Sequence, residues 1–129
     1  MNLPEIVNEL KIILDIDYSR LASICRMSEL SLLIALKLNQ PIIGKFKRFE
    51  ALYKVITYII SIEKEIAPLT ILFNGRIIIC PDETHDDEDD LTISLCGYIN
   101  EFYDELDFSA VVLEAVAEYK EYLRTVENI

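Results

Sequence analysis

The sequence contains little glycine, histidine or cysteine and no tryptophan. Its 3 glycines do not form the glycine-rich loop that cradles phosphates, and its single histidine, His85, has no Cys or second His near it to complete a zinc site. The 3 cysteines form no CxxC pair, and no Cys or Ser lies in a context typical of a catalytic nucleophile. We therefore expect a protein that is not an enzyme and that holds no cofactor and no metal.

Long hydrophobic runs are also missing. Hydrophobic residues make up 52% of the 129 residues, but charged residues or proline interrupt every apolar run before it reaches the roughly 18 residues that a membrane span needs. The first residues, Met1 to Glu5, lack the basic and apolar regions of a secretory signal. We expect one compact domain over residues 1–129, no membrane association and a cytoplasmic location.

Negative charge is concentrated in the second part of the chain. Residues 1–66 carry 9 Lys and Arg against 8 Asp and Glu, whereas residues 67–129 carry 3 against 15, which together give the net charge of -11. An acidic surface repels phosphate backbones and attracts basic partners. The sequence thus divides into a near-neutral half, 1–66, and an acidic half, 67–129.

The near-neutral half has the periodicity of four helices. Asn2 is placed to cap the first helix and Ser28 the third, while Pro41 ends the third because proline disfavours helical geometry in the residue before it. Apolar residues recur at helical spacing in each segment. The predicted helices span about 3–14, 18–25, 29–38 and 44–66.

The acidic half has the pattern of a small antiparallel sheet followed by helices. Asn74 and Gly75 stand between two β-branched runs in "LTILFNGRIIIC", which predicts a hairpin with a type I′ turn. Residues 91–96 alternate as in a third strand, although a helix capped by Asp90 is an alternative for the same residues. Helices are predicted over about 99–106 and from Ser109 onward. The fold class is therefore α+β.

Residues 16–60 contain two predicted helices joined by a short turn and followed by "FEALYKVITYI". Small, aliphatic and hydroxyl residues stand at fixed offsets in the first part of this segment, at Leu21, Ala22, Arg26, Met27, Ser28, Ser31, Leu32 and Leu36. In these features the segment resembles the helix-turn-helix of the Cro/C1-type family of phage repressors and antitoxins, whose domains are closed by a helix similar to "FEALYKVITYI". The resemblance implies a DNA-binding transcriptional regulator or antitoxin, with the helix after Ser28 as its recognition helix.

If this unit binds DNA, its candidate contacts are the basic and hydroxyl residues of the turn, of the recognition helix and of the segment after Pro41. These are Arg26, Ser28, Ser31, Lys37, Lys45, Lys47 and Arg48. The exposed face of the same helix is expected to offer Glu29, Leu30, Leu33, Ile34 and Lys37, where proteins that recognise bases normally present Arg, Asn, Gln or Ser.

An alternative function follows from the acidic loop "PDETHDDEDD". Its spacing does not fit an EF-hand, so we interpret it as a solvated loop or a docking surface for a basic protein. The candidate partner-binding residues are Asp86, Asp87, Glu88, Asp89 and Asp90. On this interpretation the protein is an acidic inhibitor of a basic nuclease, toxin or defence complex. In either case we expect a homodimer formed through the sheet or the last helix.

Overall fold

A computed structural model of the protein describes residues 1–80 and 91–128. The α+β class is confirmed: helices lie at both ends of the chain, and two antiparallel strands lie between them. The helices are α1 Leu3–Leu14, α2 Tyr18–Ile24, α3 Glu29–Lys37, α4 Lys47–Ile62, α5 Pro68–Asn74, α6 Leu95–Glu101 and α7 Ser109–Glu127; a 3₁₀ turn spans Gly44–Phe46, and the strands are β1 Arg76–Cys80 and β2 Leu91–Ser94. No helix in the described ranges is long and apolar enough to cross a bilayer.

Side-chain caps begin the first three helices. Asn2 Oδ1 accepts from the backbone N–H of the third residue after it at 2.9 Å, Asp17 Oδ1 does the same at 2.8 Å, and Ser28 Oγ at 3.1 Å. Each cap satisfies a backbone donor that the helix itself cannot, a contribution of about 1 kcal/mol. The predicted starts of α1 and α3 are confirmed.

One hydrophobic core draws on both halves of the chain. Helix α4 lies at its centre, with Phe49, Leu52 and Ile56 no more than 1% exposed. Around α4 the core includes side chains of α1, α2 and α3 from the near-neutral half, and of α5, β1, α6 and α7 from the acidic half. The segment that resembles a helix-turn-helix, residues 16–60, is called the helix-turn-helix-like unit below. It packs directly against the acidic half.

The predicted Asn-Gly hairpin is wrong. The segment before Gly75 is helix α5, which carries Pro68 in its first turn and buries Ile71 and Leu72. Gly75 has φ -70° and ψ 127°, so it does not adopt the left-handed conformation of a type I′ turn. Glycine is required at this position because there is no space for a side chain. A Cβ would lie 2.7 Å from the Ile71 carbonyl oxygen and 3.0 Å from Ala115 Cβ of α7.

The sheet pairs β1 with β2 rather than with the residues before the Asn-Gly pair. Arg76 lies opposite Ser94 and Ile77 opposite Ile93, and the register shifts by one residue between Ile78 and Cys80. Residues 91–96 are part strand and part helix, because Ser94 ends β2 and caps α6 by accepting from Gly97 N–H at 3.1 Å. The predicted third strand is thus correct for 91–94 and wrong for 95–96.

Two predicted helix boundaries also differ. Helix α4 ends at Ile62, four residues before the predicted end, and the chain is extended at the following Glu63. The helix predicted over about 99–106 is α6, Leu95–Glu101, displaced towards the N-terminus because Ser94 provides its cap.

Candidate interaction surface of the helix-turn-helix-like unit

The connection between α2 and α3 has the short turn that the resemblance requires. It runs over residues 25–28, and Met27 N–H donates to the Ala22 carbonyl at 2.9 Å. Arg26 has φ +56°, the left-handed conformation that glycine usually supplies, and an L residue there accepts strain of about 1–2 kcal/mol. Of the apolar matching positions, Leu21, Ala22 and Leu32 are buried, and Met27 and Leu36 are partly buried against the same core. A short turn between two helices, with a residue in the left-handed conformation, is the local arrangement that the resemblance predicts for these residues.

Two of the candidate DNA-binding cations form ion pairs with the acidic half. The Arg26 guanidinium lies 2.5 Å from a carboxylate oxygen of Glu101, and Lys47 Nζ lies 3.1 Å from a carboxylate oxygen of Asp104. Both pairs are solvent-exposed, so each contributes at most about 1 kcal/mol to stability. Their larger effect is local, because each carboxylate offsets the positive charge that would attract a phosphate.

Arg48 is held against the same acidic segment. Its Nε donates to the backbone carbonyl of Asn100 at 3.2 Å, and its guanidinium lies 5.3 Å from the centre of the Tyr103 ring. The side chain is half-buried. Arg48 therefore joins α4 to α6. It does not extend freely into solvent, although the sequence suggested it as a DNA contact. Lys45, by contrast, is exposed and makes no ion pair with any residue in the described ranges.

Asn100 joins α6 to the end of α2, and nothing in the sequence analysis identified it. The side chain is 3% exposed, and its Nδ2 donates to the Ile24 carbonyl at 2.8 Å and to the Cys96 carbonyl at 2.9 Å. The Ile24 carbonyl belongs to the last turn of α2, where a helix leaves its carbonyls without internal partners. Asn100 therefore fixes the helix-turn-helix-like unit on the acidic half.

The exposed side of α3 is apolar. Leu30 is 68% exposed, Leu33 40%, Ile34 50% and Leu38, at the end of the helix, 64%. These residues and the exposed Lys37 follow helical spacing, so they share one side of α3. We call the set Leu30, Leu33, Ile34, Lys37 and Leu38 the α3 face.

The two serines predicted to contact DNA are used by the helix itself. Ser28 Oγ accepts from Ser31 N–H and also donates to Ser31 Oγ at 2.8 Å, so both hydroxyls belong to the cap of α3. Helix α3 consequently has few polar groups that could recognise base edges, and Lys37 is the one cation of the α3 face.

The acidic loop residues Asp86, Asp87, Glu88, Asp89 and Asp90 lie outside the described ranges. Helix α7 carries further exposed carboxylates, at Glu114, Glu118, Glu121 and Glu127. Glu118 accepts from Arg76 N–H at 3.0 Å, and Glu121 pairs with Arg124 at 3.2 Å. The acidic half therefore presents negative charge on α7, in addition to the acidic residues that its sequence contains between 81 and 90.

An ion pair between the buried Glu63 and the exposed Lys120 joins α7 to the end of α4. Glu63 is 5% exposed and its Oε2 lies 2.6 Å from Lys120 Nζ. The hydrogen bond from Lys120, followed by the one from Glu65 N–H, holds the pKa of the Glu63 carboxyl below its usual value. The Glu63–Lys120 contact joins two helices of the fold and involves no residue of the α3 face.

The described residues offer little for catalysis. Burial raises the pKa of the Cys25 and Cys96 thiols, which keeps both protonated and poorly nucleophilic at neutral pH. Within 1–80 and 91–128, no group of three or more His, Cys, Asp or Glu is placed to hold a metal ion. His85 lies outside these ranges.

Comparison with known proteins finds no matching family model, no matching curated sequence and no matching solved structure. The function is therefore argued from the geometry and charge of the surface itself.

Proposed function

We propose that this chain is a non-enzymatic regulatory protein whose helix-turn-helix-like unit binds another protein rather than DNA. The observation that carries this proposal is the apolar α3 face. Four of its five side chains are Leu or Ile, at the positions where a DNA-binding recognition helix presents hydrogen-bonding groups. Contiguous exposed apolar patches of this kind are typical of protein interaction sites.

The charges of the other candidate DNA-binding residues support the same proposal. The carboxylates of Glu101 and Asp104 offset the charges of Arg26 and Lys47, and Arg48 contacts the Asn100 carbonyl and the Tyr103 ring. Affinity for DNA depends on cations that displace counterions from phosphates, so pairing these groups internally weakens it. The net charge of -11 adds a general repulsion.

DNA binding is the second candidate, and one observation favours it. Arg26 adopts the left-handed turn conformation, and Ser28 caps α3, as in a helix-turn-helix. Under this hypothesis the protein is a Cro/C1-type regulator or antitoxin, and Lys37 and Lys45 contact phosphates. Its acidic half would then bind a protein partner.

The third possibility is the acidic inhibitor. It is supported by the charge of residues 67–129, with 3 basic residues against 15 acidic ones, and by the exposed carboxylates of α7. Such a protein attracts a basic partner by electrostatic steering. It is compatible with the first proposal, because the α7 carboxylates and the α3 face belong to different helices.

Titration of labelled duplex DNA with the protein at low salt tests the proposal. We expect no saturable binding up to high micromolar concentration for the wild type, and no difference between it and the variant Lys45→Glu. Saturable binding that weakens steeply with salt and is reduced by Lys45→Glu would overturn the proposal in favour of a DNA-binding regulator. Lys64→Glu is the matched control for an unspecific loss of positive charge, since Lys64 is an exposed lysine outside the candidate DNA-binding residues.

A further inference from the structure

We infer that the protein bound by the α3 face is a second copy of this chain, packed as an antiparallel α3 pair about a two-fold axis. This inference rests on the proposed function, since it names the partner of the same surface. It is supported by the distribution of charge on α3 and by the extent of the apolar surface.

The apolar part of the α3 face runs the length of the helix. Leu30, Leu33, Ile34 and Leu38 lie at spacings of three and four residues, and Ile43, 63% exposed, follows in the connection to α4. A stable interface of standard size buries about 800 Å² on each partner, with an apolar centre and a polar rim. Five aliphatic side chains exposed by 40–68% are sufficient to form such a centre.

The charges at the two ends of α3 specify how two copies meet. Glu29 is the first residue of the helix and Lys37 the last, about 12 Å apart along its axis. When two copies pack antiparallel about an axis near Leu33, Glu29 of each lies level with Lys37 of the other and on the same side of the pair. A parallel pair would instead place Glu29 level with Glu29, and Lys37 level with Lys37. Antiparallel packing also aligns the helix dipoles favourably.

Both charged residues are available for such contacts. Glu29 and Lys37 are exposed, and neither forms an ion pair with another residue of the described part of the chain. Each dimer would contain two Glu29–Lys37 pairs, because a two-fold axis repeats every contact.

The surfaces predicted from the sequence for dimerisation are less suitable. Helix α7 exposes Leu113, Tyr122 and Val126, but its four exposed carboxylates outnumber its two exposed cations, so two α7 surfaces of the same negative sign would repel each other. The sheet exposes Ile78, Ile79 and Leu91, and the strands that carry them flank the seven acidic residues of segment 81–90. Neither surface combines apolar area with complementary charge as the α3 face does.

Sedimentation velocity of the full chain over a range of concentrations tests the inference. We expect the wild type to be a dimer at high micromolar concentration and Ile34→Glu to be a monomer. Leu113→Glu on α7 is the matched control, because Leu113 is also 50% exposed, and this variant should remain a dimer. Circular dichroism verifies that each variant is folded.

Charge reversals identify the antiparallel arrangement itself. Glu29→Lys and Lys37→Glu should each weaken the dimer by about tenfold, since two favourable pairs become two repulsive ones. The double variant should regain wild-type affinity. An equimolar mixture of the two single variants should form heterodimers, because each chain then supplies the charge that the other needs.

A wild-type monomer at high micromolar concentration would overturn the inference, and so would a dimer unaffected by Ile34→Glu or by the single reversals. A dimer lost in Leu113→Glu would place the interface on α7. None of these results bears on DNA, so failure of the dimer and failure of the proposed function are measured separately.

Discussion

Replacing Asn100 with alanine should destabilise the protein by about 2 kcal/mol. The substitution removes two hydrogen bonds, each with a net value of about 1 kcal/mol, and leaves the Ile24 carbonyl at the end of α2 without its Asn100 donor. The loss is partly offset because Asn100 Oδ1, itself buried and without a hydrogen-bond partner within the described part of the chain, is removed as well. Asn100→Asp should be more destabilising, since it turns an oxygen towards two carbonyl oxygens.

Urea denaturation followed by circular dichroism measures this effect. With a typical dependence on urea for a domain of this size, the midpoint of Asn100→Ala should fall by about 1 M. Asn8→Ala is the matched control, because Asn8 is exposed in the middle of α1 and the change in helix propensity is the same. If Asn100→Ala unfolds at the same urea concentration as Asn8→Ala, the argument that Asn100 fixes α2 on the acidic half is refuted.

Three further substitutions test other contacts. Gly75→Ala should destabilise by about 1–3 kcal/mol in the same assay, because the new methyl group meets backbone and side-chain atoms at 2.7–3.0 Å; an unchanged midpoint would show that α7 can move away. The lowered pKa of the Glu63 carboxyl in the folded protein contributes stability that is present above the pKa of the unfolded chain, near 4, and is lost as the pH falls through the folded-state pKa. Glu63→Gln should therefore reduce the loss of stability at acid pH. An unchanged acid dependence would argue against this role of Glu63. Replacing Glu101 with Gln and Asp104 with Asn together should leave Arg26 and Lys47 without their carboxylate partners, and so raise the salt concentration needed to elute the protein from heparin. An unchanged elution concentration would mean that these ion pairs do not offset the charge of the two cations.

The first half of the fold was predictable because its signals are local. Asn2 and Ser28 act within one turn of the helices that they cap, and the apolar period identifies the buried side of each helix. The state of a short apolar run could not be predicted in this way, because a run of seven residues such as Pro68–Asn74 fits a helix or a strand equally well by composition. Its helical state depends on packing Ile71 and Leu72 against the rest of the core, which no local pattern contains.

The candidate site was predictable only in part, for the same reason. The apolar residues of α3 are visible in the sequence, because they belong to one helix and share one period. The partners of the basic residues are not visible: Arg26 pairs with a residue 75 positions later, and Lys47 with one 57 positions later. Asn100 carries no local signal either, since its acceptor Ile24 O lies 76 positions before it. Long-range pairing therefore offsets the charge of two of the five basic candidate residues, Arg26 and Lys47.

Hydrogen–deuterium exchange of α3 tests the central claim most directly. The protein is measured at low and at high micromolar concentration, and again with an excess of duplex DNA at low salt. We expect the amides of residues 29–38 to exchange more slowly at the higher concentration, because the α3 face becomes buried against a second copy, and DNA to leave their exchange unchanged. Slower exchange of these residues on addition of DNA, with no effect of protein concentration, would contradict the account and identify α3 as a DNA-binding helix.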